Sequence, residues 1–365
     1  MERRNLIKGL LCLPVTPLAY GQSFDDFLAD QDAGAKNLST EFEAYKSQYL
    51  KAYQDYRQAI MQEWDEVLTT TPTQWVSYSK DKKTRTVVDY ERNQISVTVR
   101  ADDPRSEPES LIKLAKQAIK KPQKEALKED PVISKLHDGA NQLGEQNMTG
   151  MEITDQKAET LAKKGRLIED QDSKGATRTL VVNLPEEAES ERARQYLPII
   201  VKYSKQYNVS APLVFAIMHT ESSFNPLAQS HIPAFGLMQI VPNSAGKDVQ
   251  RLIYKRNKSP SPATLFNPEQ NIQHGIAYLH ILQDKYLAQI KDPRTREQCV
   301  IAAYNTGAGN VARAFVGSTN IKKAAKVINT MSADRVYQHL RKRLHYAEAR
   351  GYVLKVNQRL RQYRV

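Results

Sequence analysis

The chain has 365 residues, 40% hydrophobic and 26% charged, and beyond its N-terminus no stretch approaches the roughly 18 apolar residues of a membrane span. Charge divides it: residues 1–190 hold 27 Lys+Arg and 32 Asp+Glu, net −5, whereas residues 191–365 hold 26 and 9, net +17, for an overall +12. The basic half suggests an anionic polymer as partner, but no nucleic-acid motif accompanies it.

Residues 1–22 combine a basic start, a short apolar run from Leu6 to Leu18 and Ala19-Tyr20-Gly21, an A-x-A-like cleavage site. They read as an export signal and are excluded from the fold. Arg3-Arg4-Asn5-Leu6-Ile7-Lys8 also resembles the twin-arginine motif, so that route and ordinary secretion both stay open. After cleavage only Cys299 remains, and no intramolecular disulfide can form. Beside Val300 and Ala303, Cys299 reads as a small core residue rather than a reactive thiol.

The region 23–188 is expected to be an α+β accessory domain. Tyr45, Tyr49, Tyr53, Tyr56, Ile60, Trp64 and Val67 step by three or four, which predicts one long helix ending near Thr69. Its aromatic stripe reads as core rather than as a sugar-stacking face. Trp75–Tyr78, Thr84–Val88 and Ile95–Val99 read as three short strands of an antiparallel meander, with turns at 81–83 and 91–93. Ser106–Ile119 reads as a further helix and Thr177–Leu184 as a strand of the same sheet. Between Pro122 and Gly175 the chain is polar and poor in aromatics; short helices and a mobile segment are both compatible with it.

The region 189–365 is expected to be mostly α. A helix over Tyr196–Tyr207 stops at Asn208. Ser210 as N-cap, Pro212 in the first turn and a Val209/Val214 staple predict a helix over Ala211–Ser222. Val214, Ile217, Met218 and Glu221 share one face of it. Glu221 is thus a lone carboxylate on an apolar face at a helix C-terminus, where desolvation and the helix dipole both raise its pKa. A neutral acid in an apolar cleft can protonate a leaving oxygen; the plain alternative is an exposed residue on a frayed end. The Phe224–Ala234 and Lys255–Asn267 segments read as loops. Asn267-Pro268 and Asp292-Pro293 start helices running to about Tyr286 and to Gly307, and further helices follow from Gly309, Ile321, Ser332 and Glu348.

The run from Glu221 to Ser230, ESSFNPLAQS, resembles the first motif of the lytic transglycosylases with a goose-type lysozyme-like fold. Gly236-Leu237-Met238-Gln239 resembles their second motif, Ala303-Tyr304-Asn305 the third and Tyr352-Val353 the fourth. The final YVLKVN is similar to the membrane-bound lytic murein transglycosylase C branch, as is the upstream region more weakly. The resemblance implies Glu221 as sole acid/base, with Ser230, Gln239, Tyr304, Asn305 and Tyr352 lining the sugar cleft. Read alone, Ser230 and Gln239 could cap turns, and Tyr304 and Tyr352 could be packing residues. Ser222 reads as a helix-end hydroxyl, because no acid orients the neighbouring His219.

The implied activity is non-hydrolytic cleavage of the β-1,4 bond between N-acetylmuramic acid and N-acetylglucosamine in peptidoglycan, leaving 1,6-anhydro ends. It requires no metal or organic cofactor. The second carboxylate of a hydrolytic glycosidase is not identifiable, since the other eight acids of residues 191–365 lie outside the motifs and Asp248 reads as a loop residue. A hydrolytic muramidase and a cell-wall binding or scaffold protein remain the alternatives. Expected partners are glycan strands, with other cell-wall enzymes as candidates and nucleic acid excluded. Members of this branch are usually lipoproteins, but Cys12 follows Leu11 where a small residue is expected, so the reading is a soluble periplasmic protein.

Overall fold

The computed structural model describes residues 40–132, 134, 143, 145–230, 234–256 and 258–364, with side chains from residue 47 onward. The export signal expected at 1–22 lies outside the described residues, as does Tyr45's side chain. The expected meander forms from β1 (Gln74–Tyr78), β2 (Thr84–Asp89) and β3 (Gln94–Arg100), with Lys82 and Asn93 in left-handed turn conformations. β5 (Gly175–Asn183) joins it antiparallel to β3, as expected, and β4 (Arg166–Asp172) completes the order β1-β2-β3-β5-β4. Ile95, Val97 and Val99 of β3 are wholly buried, so their alternation with polar residues marks the inner face.

The first helix is shorter than its periodicity suggests. α1 (Thr40–Met61) stops before Trp64, which is nevertheless buried beneath the guanidinium groups of Arg85 and Arg100. Its indole Nε1 donates to the Lys82 carbonyl at 2.6 Å, and Arg100 donates to the Glu63 carbonyl. These tertiary bonds outweigh the local periodicity, and the Thr-rich run up to Pro72 would not have sustained a helix.

α2 (Pro108–Lys120) lays Leu111, Ala115, Ala118 and Ile119 against β3 and β5. The polar stretch that follows holds α3 (Gln123–Lys128), α4 (Asp155–Lys163) and β4. β4 is an exposed edge strand. With few buried positions it shows no alternation, and its pairing instead uses charges such as Arg178 to Glu169 at 2.9 Å.

α5 (Glu187–Arg194) leads into the helical region: α6 (Leu197–Tyr207), α7 (Ala211–Ser222), α8 (Lys247–Leu252), α9 (Pro262–Phe266), α10 (Pro268–Ile281), α11 (Pro293–Thr306), α12 (Ala308–Val316), α13 (Ile321–Ile328), α14 (Ala333–Arg343) and α15 (Ala347–Tyr363). Asn267, Asp292, Asn320 and Ser332 cap their helices by accepting a backbone N–H three residues on. Two short helices escape a loop reading. Asp248 lies on α8 and bonds Arg251 at 3.0 Å and Tyr286 at 2.8 Å, and the 255–267 segment contains α9. Cys299 is buried in the core as expected. The whole protein is α+β, with its helices concentrated towards the C-terminus.

The chain from Ser39 to Val365 packs as one compact unit. Buried Arg192 of α5 is one of its fasteners. Its guanidinium donates to Asn93 Oδ1 at 3.0 Å, the Tyr90 carbonyl at 3.3 Å and the Thr149 carbonyl at 3.4 Å, and lies over the Tyr90 ring. At the same β2–β3 turn, Glu91 pairs with Lys355 and Arg359 of α15, each at 3.6 Å.

Candidate active site

α7 begins and ends where the sequence indicates, but two details differ. Ser210 occupies the N-cap position without a side-chain cap bond, and residues 213–219 are buried on every face rather than along one stripe. α7 is a central helix, with α15 packed along it. Ser223 and Phe224 take left-handed conformations directly after Ser222, the last residue of the helix. Arg359 donates to the His219 carbonyl at 2.7 Å, placing a cation at the negative end of the helix.

Glu221 is half-buried. Burial pushes its carboxyl up to about 8; the nearby Tyr352 hydroxyl pulls it down and the charge of Glu348 pushes it up further. The acid is therefore largely protonated at neutral pH, in agreement with the sequence argument. Tyr352 is buried on α15, and its hydroxyl approaches Glu221 without reaching a well-formed hydrogen bond to any protein group. Burial and the Glu221 charge hold the hydroxyls of Tyr352 and Tyr304 far above the usual tyrosine range, so both remain proton donors.

Tyr304, near the end of α11, donates to the Met238 carbonyl at 2.8 Å and packs against Tyr278. This bond ties the third motif to the second. The second motif is a tight turn in which Gly236 and Gln239 are both left-handed, at φ 72° and 46°. Asn271 of α10 holds the turn: it donates to the carbonyls of Phe235 at 2.7 Å and Leu265 at 2.8 Å, and accepts from Met238 N–H at 2.8 Å. A Cβ on Gly236 would press into the Leu265 carbonyl and the Asn271 amide. Gly236→Ala should therefore cost about 3 kcal/mol, from overpacking added to an unfavourable φ. Urea unfolding of that variant measures the loss, and a wild-type midpoint would contradict it.

The plain readings of Ser230 and Gln239 hold in part. Ser230 Oγ accepts from Ala234 N–H at 3.3 Å, and Gln239 Nε2 donates to the Gly236 carbonyl at 3.0 Å, so each braces its own turn. Ser222 donates to the carbonyls of Leu237 at 2.7 Å and Met218 at 3.1 Å. His219 is held neutral by burial, which pushes it down to about 3, and its Nδ1 bonds the Tyr363 hydroxyl at 3.0 Å. The two therefore form no nucleophile–base pair.

Sequence reasoning missed Glu348. It stands one helical turn before Tyr352 on α15, near Glu221, and hydrogen-bonds with Asn305 of the third motif. Burial raises its own pKa, and the Asn305 hydrogen bond pulls against that push. Glu348 is thus a carboxylate near Glu221 that the motifs did not identify. The available signal was the spacing of four from Tyr352, which places both side chains on one face.

Three groups of residues far apart in the chain thus converge. Glu221, Tyr304 and Tyr352 lie close enough to perturb one another's protonation, Asn305 joins through Glu348, and Gln239 follows Met238, whose carbonyl accepts from Tyr304. A curated protein of Klebsiella pneumoniae (strain 342), described as membrane-bound lytic murein transglycosylase C, is 36% identical over 318 residues, covering 82% of this chain and 84% of the relative. The chain belongs to the membrane-bound lytic murein transglycosylase C family. A second protein of that description, from Actinobacillus succinogenes, is 32% identical over 370 residues and 98% of each chain. The family model for the transglycosylase SLT domain matches residues 198–327 of this member. The 70 kDa soluble lytic transglycosylase Slt70 of Escherichia coli is 26% identical, covers 48% of this chain and 25% of its own, and superposes with a TM-score of 0.37. Among the described residues, no helix of this family member is long and apolar enough to cross a membrane.

Removal of Glu348 should separate its charge from any chemical role. In Glu348→Gln the upward push on Glu221 is lost, so the basic limb of kcat/KM should move below about 8 while activity near pH 6 persists. A pH–rate profile checks this. Loss of activity at every pH would instead make Glu348 a participant in the reaction.

Proposed function

We propose that this protein is a lytic transglycosylase of peptidoglycan, cleaving the β-1,4 bond between N-acetylmuramic acid and N-acetylglucosamine and leaving 1,6-anhydro ends. The observation that carries the reading is Glu221, a carboxyl raised to about 8 in a half-buried site among residues of all four motifs. Glu221 gives its proton to the bridging oxygen as the bond from the anomeric carbon breaks. The substrate's own N-acetyl oxygen stabilises that carbon. The Glu221 carboxylate then takes the proton of the C6 hydroxyl, whose oxygen bonds the anomeric carbon and closes the ring. The attacking hydroxyl is tethered, so it has the proximity advantage over water.

Tyr352 steadies the carboxylate between the two steps by hydrogen-bonding, while Ser230, Gln239, Tyr304 and Asn305 line the cleft. The region 189–365 carries the chemistry, and 23–188 serves as its accessory domain. The net +17 of residues 191–365 suits a polymer whose peptide stems bear free carboxylates. We place the protein in the periplasm.

One observation favours a second reading. Glu348 supplies a second carboxylate near Glu221, as a hydrolytic muramidase would use. Mass spectrometry of muropeptides released from purified sacculi separates the two. Anhydro ends support the transglycosylase, and reducing ends that depend on Glu221 support the muramidase.

A further inference from the structure

Three segments of the N-terminal region grip the loop that runs from Glu221 to Ser230. The Tyr49 hydroxyl of α1 donates to the Ser230 carbonyl at 3.2 Å and lies 3.5 Å from Gln229 Oε1. Gln229 Nε2 donates to Asp130 Oδ2 at 2.9 Å, and Asp130 Oδ1 accepts from the Val132 N–H at 2.9 Å. Asn225 donates to the Pro72 carbonyl at 3.1 Å. Tyr49, Gln229, Asp130 and Asn225 are all at least nine-tenths buried.

A buried carboxylate that accepts a side-chain amide makes a charge-assisted hydrogen bond, stronger than a neutral one and directional. Here it fixes the residue next to Ser230, while Tyr49 fixes Ser230's own carbonyl. The backbone on both sides of the Ser230 Cα is thereby set: Gln229 from Asp130, and the Ser230 carbonyl from α1. The Ser230 hydroxyl can then take only the positions its side-chain rotamers permit.

We infer that Tyr49 and Asp130 are positioning residues for glycan cleavage, Tyr49 acting through the Ser230 carbonyl and Asp130 through Gln229 to hold the Ser230 hydroxyl at its place in the cleft. The accessory region is on this account part of the catalytic apparatus. The inference rests on the proposed role of Ser230 in lining the sugar cleft.

The test uses the full chain and steady-state cleavage of purified glycan strands, with melting temperatures showing that each variant is folded under assay conditions. Tyr49→Phe and Asp130→Ala should lower kcat about tenfold to hundredfold, the effect of a small misplacement at a reacting centre. On a Ser230→Ala background Tyr49→Phe should add no more than about a further twofold loss, because coupled residues are not additive. Tyr53→Phe is the control: it removes a hydroxyl of the same helix that bonds Thr69 at 2.9 Å, and should retain wild-type kcat. Wild-type kcat in Tyr49→Phe, fully additive losses, or an equal loss in Tyr53→Phe would each overturn the inference. Ser230→Ala at wild-type rate with inactive Glu221→Gln would remove the Ser230 role beneath it. Activity in Glu221→Gln would instead overturn the functional reading itself.

Discussion

Glu221→Gln should lose about a hundredfold to ten-thousandfold in kcat, the range set by removing a positioned general acid and base. Glutamine keeps the shape and hydrogen-bonding capacity of the side chain, so glycan binding should persist. The same variant should be more stable than the wild type at high pH. Glu221 has its pKa raised from 4.5 to about 8 by folding, so the native state binds more protons than the unfolded chain between those values. Stability contributed by this group is complete below about 4.5 and falls as pH rises through 8. Glutamine has no charged form to desolvate. Melting curves of the two proteins should nearly coincide in mid-acid and diverge by several degrees near pH 9, at about 2–4 °C per kcal/mol. Equal stability across that range would show Glu221 to be an ordinary exposed carboxylate.

A large loss of stability, comparable to that of Gly236→Ala, follows Arg192→Ala. The guanidinium is buried, and burial pushes its pKa down without neutralising it. Its removal relieves the desolvation of one charge. It also leaves Asn93 Oδ1 and the carbonyls of Tyr90 and Thr149 without that donor, and opens a cavity over the Tyr90 ring. Unsatisfied buried acceptors cost about 1–3 kcal/mol each, so a net loss of about 3 kcal/mol remains after partial compensation by entering water. Gly150 adds to the constraint, since its left-handed backbone packs directly on the Arg192 stem. Thermal or urea unfolding measures the loss, and an unchanged midpoint would show the bonds to be dispensable. Arg192→Lys should recover only part of it, because an ammonium cannot span the same three acceptors with a planar fork.

The α7 reading succeeded because its signals were local. Pro212, the Val209/Val214 staple and the position of Glu221 all lie within a few turns of chain. The three strands of the meander were legible for the same reason, since turn residues bound them and Ile95, Val97 and Val99 of β3 alternate against one buried face. α1 was overextended because Trp64 continues its aromatic periodicity while packing through a different backbone path, under Arg85 and Arg100. β4 was invisible because an edge strand exposed on both faces has no pattern to show. In the site, Tyr304 and Tyr352 are indistinguishable from core tyrosines until their motif resemblance is considered. Glu348 and Asn271 were missed because their partners are remote in sequence. Nothing near Asn271 in the chain announces that it satisfies the backbone of the 235–238 turn.

The most direct test of the central claim is digestion of purified sacculi by the wild-type protein in water enriched in oxygen-18, with mass spectrometry of the new muramic acid ends. Internal attack by the C6 hydroxyl predicts anhydro ends that carry no label, and none in the Glu221→Gln digest. Labelled reducing ends as the main product would mean that water, and not the tethered hydroxyl, completes the reaction.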